Sequence, residues 1–308
     1  MKLMVTNIVS DTPTVKIFTL KHPLRDTLPP PSAGAHVDVR LPDGKIRQYS
    51  LCGDPSDDSI YQIAVRREDD GRGGSRWLHD NVELGSILHV SAPRNNFPLV
   101  AGADRHIFIG GGIGITPFAA MARAAQQAGE EFIVEYCVRS KGDAPLLPAL
   151  STTCSEQQLQ LWVGDLGERF RAASIGAPVA GTHIYCCGPS SLVNAVREAT
   201  SDWPQDQVHF EVFAATLDEN FKPEPFDMTI ASTGEVLRVP ADKSALDVLR
   251  GRGFIVQSSC ELGVCGSCEC GYSDGTVIHR DAVLSVAARQ DRMLLCVSRA
   301  RVAVTVDF

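Results

Sequence analysis

A group of cysteines towards the C-terminal end constrains this chain more than any other feature. Cys260-x4-Cys265-x2-Cys268 is followed, after 27 intervening residues, by Cys296. That is the ligand spacing of a plant-type [2Fe–2S] cluster, in which one tight loop gives three thiolates and a later segment gives the fourth. Gly263, Gly266 and Gly271 tolerate positive φ, which would let backbone N–H groups turn towards anionic sulfides. Ser258, Ser259 and Ser267 add small hydroxyls to the same stretch. A zinc site is the competing reading, because Cys265-x2-Cys268 is also a zinc-knuckle hook. Zinc sites usually pair two such hooks, whereas Cys296 stands alone in Leu294-Leu295-Cys296-Val297.

With 308 residues there is room for two or three domains. The 44% hydrophobic and 21% charged content is that of a folded globular chain. A net charge of −8 argues against nucleic acid or an anionic membrane surface as partner. The charge is uneven: residues 102–226 hold 15 acids and 8 bases, while 227–308 hold 10 and 9. Met1-Lys2-Leu3-Met4 opens like a signal peptide, but Thr6, Asn7, Ser10 and Asp11 interrupt any apolar stretch. No run reaches the roughly 18 apolar residues of a membrane span. Reduced thiols and a cytoplasmic location are therefore expected.

The pattern changes twice along the chain. Residues 1–101 hold short alternating segments between Pro, Gly and Asp turns, with one helical stretch at Ser75–Asn81, and predict an antiparallel β-barrel. Residues 102–218 alternate strands with helices and predict a doubly wound α/β domain. Residues 219–226 read as a linker. Residues 227–308 predict an α+β domain with a hairpin, a helix and the cysteine loop.

Three further motifs carry chemistry. Gly110-Gly111-Gly112-Ile113-Gly114 lies between a strand and a helix that opens Thr116-Pro117, where unpaired N–H groups favour a pyrophosphate. Tyr185-Cys186-Cys187-Gly188-Pro189 ends another strand of the same sheet, on the side where ligands bind. A thiol at Cys187 could lie beside a bound ring, although a free cysteine is more often a buried small hydrophobe. Gly71-Arg72-Gly73-Gly74-Ser75 offers a guanidinium, a hydroxyl and a helix start, a phosphate cradle if it is not a mere hairpin tip.

The order of these motifs, with Arg47-Gln48-Tyr49-Ser50, His209-Phe210-Glu211-Val212-Phe213 and the cysteines, resembles the phthalate dioxygenase reductase family. Ser91–Leu99, His279-Arg280-Asp281 and Cys296–Ala300 carry the same likeness. The resemblance spans nearly the whole chain. It implies an FMN barrel, an NAD domain and a plant-type ferredoxin domain. It implies further that Arg47, Tyr49 and Ser50 contact FMN, and that Arg72, Gly73, Gly74 and Ser75 hold its phosphate. Gly111, Gly112, Gly114, Thr116, Pro117, Cys187, Gly188 and Pro189 would line the nicotinamide nucleotide. Phe213 would stack on the flavin, with Ser50, Thr116 and Cys187 completing the reacting site, and the four cysteines would bind iron. Ser140 and Lys141 follow Arg139 where an acid would favour the ribose of NADH, and Cys270 lies outside the pattern.

The expected protein is a monomeric NADH-dependent reductase. It would pass electrons through FMN and the cluster to a separate Rieske-type oxygenase acting on an aromatic compound. The same chain could instead feed an O-demethylase oxygenase or another acceptor, or the cysteines could form a zinc docking module on a flavoprotein. No H-x-x-E-H or two-His-one-carboxylate pattern suggests an oxygen-activating iron of its own. Leu262 and Val264 are candidate anchors for the electron acceptor, or simply a cover for the cluster.

Overall fold

Alternation of apolar and polar residues builds the first six strands: β1 (Lys2–Ser10), β2 (Val15–Lys21), β3 (His36–Arg40), β4 (Ile46–Ser50), β5 (Tyr61–Arg66) and β6 (Ile87–Val90). They pair antiparallel in the order β4-β3-β6-β1-β2-β5. The edges then meet. An antiparallel bridge between Leu51 and Ile63, with the Cys52 amide donating to the Gln62 carbonyl at 2.9 Å, joins β4 to β5 and closes a barrel. Inward residues such as Leu3, Phe18, Val37, Tyr61, Ile63 and Val65 fill it at two-residue spacing. Helix α1 (Gly74–Asn81) packs Leu78 into this core. The computed structural model describes residues 1–71, 73–213 and 221–308, so Arg72 lies outside the described residues.

The second sheet is wholly parallel. It contains β7 (Arg105–Gly111), β8 (Glu131–Val138), β9 (Leu159–Val163), β10 (Thr182–Cys187) and β11 (Val208–Glu211) in the order β11-β10-β7-β8-β9. The chain order reverses between β7 and β10, so a crevice opens at their C-terminal ends. Helices α2 (Thr116–Ala128), α3 (Leu147–Thr153) and α4 (Ser190–Ala199) connect the strands. Pro117 at the start of α2 and Gly129 in the left-handed conformation at its end set the limits of that helix.

Barrel and parallel sheet share one core. Val15, Cys52, Ala64 and Phe97 pack with Ile115, Phe118, Met121, Tyr185 and Cys187. The Tyr185 hydroxyl accepts the Val100 amide at 2.9 Å, and Asp11 accepts the Leu146 amide at 2.7 Å. These contacts make one unit of Met1–Glu211.

The second unit, Val212–Phe308, has its own core of Phe226, Met228, Leu246, Leu249, Leu294, Leu295 and Val306. Its main sheet contains β12 (Phe226–Ile230), β13 (Val236–Val239), β14 (Glu269–Ser273), β16 (Arg292–Leu294) and β18 (Ala303–Val306), ordered β13-β12-β18-β14-β16. A short ribbon pairs β15 (Val277–Ile278) with β17 (Arg299–Ala300). Helix α5 (Ala245–Gly251) begins with a reciprocal cap in which Ser244 and Asp247 bond to each other's backbone amides. The expected linker and the end of the α/β segment fall partly on residues 214–220, outside the described residues, and β12 begins at Phe226. No helix among the described residues is long and apolar enough to cross a membrane.

Candidate redox centres

Four sulfurs converge in the second unit, two and two. The sulfurs of Cys260 and Cys265 lie within hydrogen-bonding reach of each other, as do those of Cys268 and Cys296. Two pairs suit two irons. The amides of Leu262 and Val264 donate to the Cys260 sulfur at 3.3 and 3.5 Å, and that of Cys260 reaches the Cys265 sulfur at 3.4 Å. Hydrogen bonds from Cys260 and Ser267 pull the Cys265 thiol down. Donors of this kind stabilise thiolates and, with a cluster bound, its sulfurs. The residues present therefore fit a [2Fe–2S] group.

Gly263 and Gly266 take φ of 75° and 74°, as their role in the loop requires. Gly271 does not, which corrects the expectation for it. Gly271 lies in β14, and the nearest atom to a Cβ there would be an Asp307 carboxylate oxygen at 2.0 Å, the end of an exposed side chain that can turn aside. Glu261 is left-handed too, at φ 54°, and is held by Arg250 at 2.7 Å. Cys270 faces the core rather than the cluster loop. Its sulfur lies 3.3 Å from the Gly271 carbonyl, and burial pushes the thiol up to about 11. A buried protonated thiol is a poor target for oxidation.

In the first unit, the glycines at the crevice have distinct duties. A Cβ on Gly111 would meet Pro189 at 2.6 Å, and one on Gly114 would meet the Cys187 carbonyl oxygen at 2.4 Å. A Cβ on Gly188 would lie 2.9 Å from the Gly111 Cα. These three let the loops after β7 and β10 touch backbone to backbone. Gly112 differs: its φ is 54° and nothing lies within 4 Å of its missing Cβ. The open space above a positive-φ glycine beside the start of α2 is where a pyrophosphate would approach. Thr116 is buried and donates to the Ile113 carbonyl at 3.0 Å, bracing the turn, while Pro117 starts the helix.

Cys187 is fully buried at the end of β10, and its thiol is held well above the usual range by burial. It is an apolar wall rather than a nucleophile. Its register partner on β11 is Glu211, which the sequence reading quoted within a motif but gave no role. Burial pushes the Glu211 carboxyl up to about 8, and one of its oxygens has no hydrogen-bond partner among the described residues. An acid at the end of β11, in a strand that runs beside the one ending in Cys187, was the signal that could have found it.

The residues expected at the flavin lie on β4 and at the start of α1. Arg47 and Tyr49 share one face of β4, and Ser50 is buried at its end, opposite His36. The Arg47 side chain lies over Gly74, whose Cβ would be 2.7 Å from the guanidinium Nε. Arg47 is thereby brought to the Gly73-Gly74-Ser75 turn. Gly73 caps α1 with φ 81°, and no side chain caps this helix start. The Ser75 hydroxyl accepts the Glu68 amide at 3.0 Å. Two residues past Ser50, Cys52 enters the core that holds Ile115, Phe118 and Cys187. Barrel rim and nucleotide crevice thus meet through shared packing. Phe213 belongs to the second unit and is 37% exposed.

Comparison with known proteins agrees. Residues 228–301 match the 2Fe-2S iron-sulfur cluster binding domain family. The reductase subunit of Pseudomonas putida phthalate 4,5-dioxygenase is 40% identical over 292 residues, spanning 92% of this chain and 89% of that protein. The chain belongs to the phthalate dioxygenase reductase family. Vanillate O-demethylase oxidoreductase from a Pseudomonas strain is 39% identical, spanning 90% of this chain and 89% of that one. The solved structure of a phthalate dioxygenase reductase, a modular structure for electron transfer from pyridine nucleotides to [2Fe–2S], superposes with a TM-score of 0.84 at 35% identity. It covers 100% of this chain and 98% of that chain. As in that family, this chain joins an antiparallel barrel, a doubly wound nucleotide fold and a plant-type ferredoxin fold.

Glu211 supplies a stability test. A carboxyl with a folded pKa near 8 and an unfolded value near 4.5 costs nothing while protonated. Its cost grows as pH rises from about 4.5 and levels off above 8, because the unfolded chain ionises it freely. Glu211→Gln is expected to flatten this decline and raise the melting temperature at pH 8 to 9 but not at pH 5. An unchanged difference across that range, measured by calorimetry, would show that Glu211 ionises normally.

Proposed function

We propose that this chain is an NADH-dependent reductase that delivers electrons to the terminal oxygenase of a Rieske-type system acting on an aromatic compound. The observation that carries the reading is the two-and-two pairing of cysteine sulfurs on a chain whose other unit joins a barrel to a nucleotide crevice. FMN held at the barrel rim by Arg47, Tyr49 and Ser50 would supply two-electron hydride chemistry, and a [2Fe–2S] cluster held by Cys260, Cys265, Cys268 and Cys296 would supply one-electron transfer. We assign residues 1–101 to FMN, 102–218 to NADH and 227–308 to the cluster. The chain works in a reducing compartment, the cytoplasm, where its free cysteines persist as thiols.

The residues have separable duties. Arg47, Tyr49, Ser50 and the Gly73-Gly74-Ser75 turn hold the flavin and its phosphate, with Arg72, which lies outside the described residues, assigned to the phosphate as well. Gly112 leaves room for the pyrophosphate, while Gly111, Gly114, Gly188 and Pro189 fix the crevice walls. Thr116 and Pro117 brace the turn beneath. Cys187 is the apolar wall beside the nicotinamide, and Phe213 is assigned to stacking on the flavin. Cys260, Cys265, Cys268 and Cys296 ligate iron.

The preference for NADH has a structural support that Arg139 and Lys141 alone do not suggest. Asp165, beyond the end of β9, donates its amide to the Arg139 carbonyl at 2.9 Å, and its carboxylate lies 3.8 Å from the Arg139 Nε. An acid beside that arginine offsets the charge that would attract a 2′-phosphate. The kcat/KM ratio is expected to favour NADH over NADPH by roughly ten-fold or more, and Asp165→Asn to narrow it. A ratio favouring NADPH in the parent protein would overturn the assignment.

A further inference from the structure

The side chains of His279 and Asp281 set two polar atoms face to face, out of reach of water. His279 Nδ1 lies 3.7 Å from Asp281 Oδ2, and neither atom has a hydrogen-bond partner among the described residues. The Asp281 side chain is wholly buried and that of His279 is 13% exposed. Buried polar atoms are nearly always satisfied, so two that face each other unpaired require a reason.

The surroundings fix the state of the ring. His279 Nε2 lies 3.0 Å from the Arg289 carbonyl, which only accepts, so the ring proton sits on Nε2 and Nδ1 carries a lone pair. The same carbonyl accepts the Tyr272 hydroxyl at 2.8 Å. Asp281 is engaged through its other oxygen: Oδ1 accepts the amides of Val283 and Leu284 at 3.2 and 2.8 Å, with the Arg289 guanidinium at 3.4 Å. Two acceptors therefore meet, and one added proton would satisfy both. The titratable groups facing the ring are Asp281, Arg289 and Tyr272. Arg280 turns instead to the Phe221 ring, and Arg299 on β17 to the carbonyls of Glu224, Pro240 and Lys243. Burial foremost, with the Arg289 charge, holds the His279 pKa below the usual histidine value, although the Arg289 carbonyl and the Asp281 charge raise it.

This turn is fastened to the cluster loop. The Ala282 amide donates to the Gly263 carbonyl at 3.0 Å, and a Cβ on Gly263 would lie 3.2 Å from the Asp281 Cα. The Gly263 amide in turn donates to the Cys296 sulfur. We propose that His279 and Asp281 form a proton site for the one-electron step: when an electron reaches the cluster, His279 Nδ1 takes a proton from solvent and pairs with Asp281. This rests on the reductase reading. The electron comes from the flavin and the proton from water, so the ring gains one positive charge as the cluster gains one negative. An added negative charge nearby favours the protonated imidazole, and the proton leaves again when the electron moves on.

The test is a mediated redox titration of the full-length holoprotein between about pH 6 and pH 8.5, reading the cluster alone by its electron paramagnetic resonance signal. The parent potential is expected to fall as pH rises, because high pH withholds the proton that stabilises the reduced state. At one fixed poise the ratio of reduced to oxidised cluster should drop about ten-fold across that range, or about 59 mV. Asp281→Asn keeps an oxygen for the Val283 and Leu284 amides and offers an N–H to Nδ1 in place of the proton. His279→Gln keeps a donor for the Arg289 carbonyl. Both variants are expected to retain their iron and to change that ratio less than two-fold with pH. Should Asp281→Asn lose its cluster, His279→Gln, which leaves the Asp281 turn intact, decides alone. A parent potential that is flat with pH overturns the proton site and leaves the cluster reading standing. A slope that survives in His279→Gln overturns it as well, since the proton then binds elsewhere. A parent that gives no [2Fe–2S] signal on reduction brings down the cluster reading and this inference with it.

Discussion

Cys265→Ser is expected to abolish cytochrome c reduction while NADH still reduces a small dye at close to the parent rate. Cys265 stands in the tight loop, its sulfur pairs with that of Cys260, and it receives donors from Cys260 and Ser267. A serine oxygen is harder and more basic than a thiolate and is a poor ligand for an iron–sulfur centre. Loss of one of four ligands should reduce iron content to a small fraction of the parent's. The first unit has its own core and does not draw on the cysteine loop for its packing. Flavin content and dye reduction should therefore stay within about two-fold, as expected when distant sites act independently. Equal collapse of both activities would show that electrons do not pass from flavin to cluster.

A second large effect is expected at Gly114. An added methyl there would lie 2.4 Å from the Cys187 carbonyl oxygen and 2.6 Å from its carbon, against backbone that cannot swing aside. Relief requires the loops after β7 and β10 to part. Such overpacking costs about 1–3 kcal/mol. Because these loops form the crevice, a shift of ~1 Å can reduce the hydride step about 100-fold. Gly112→Ala supplies the contrast: its methyl points into open space, so only the left-handed backbone resists, at about 1–2 kcal/mol. The expected signature there is a higher KM for NADH with a minor loss of stability. Gly114→Ala should lower both melting temperature and kcat/KM. If Gly114→Ala matches the parent in both, the contact between the two loops is not what positions the nucleotide.

Much of this was legible in the chain. The cysteine spacing announced a two-iron centre, and the Gly110–Gly114 run marked the crevice, because backbone approach leaves no substitute for glycine. Strand β1 was less visible, and the reason is local. Its pairing with β2 shifts register between Val5 and Asn7, so a bulge breaks the two-residue alternation that marks a strand. Strands β14 and β16 were hidden by their sequence: Glu269-Cys270-Gly271 follows directly on a cluster ligand and reads as loop. Gly271 was assigned to turn geometry because the sequence does not show that it sits inside strand β14, paired with Arg292. Glu211 was given no role because its significance comes from burial beside Cys187, a relation across two strands. Closure of the barrel depends on one bridge, Leu51 to Ile63, which no local pattern encodes.

The central claim is that electrons enter from NADH as a pair at a flavin in the first unit and leave singly from iron in the second. Anaerobic titration of the full-length protein with NADH, followed by optical and electron paramagnetic resonance spectroscopy, tests it most directly. The account predicts bleaching of the flavin and the rhombic signal of a reduced [2Fe–2S] centre, with an uptake of about three electrons per chain. An uptake of only about two electrons, with no iron signal and zinc found by metal analysis, would contradict it.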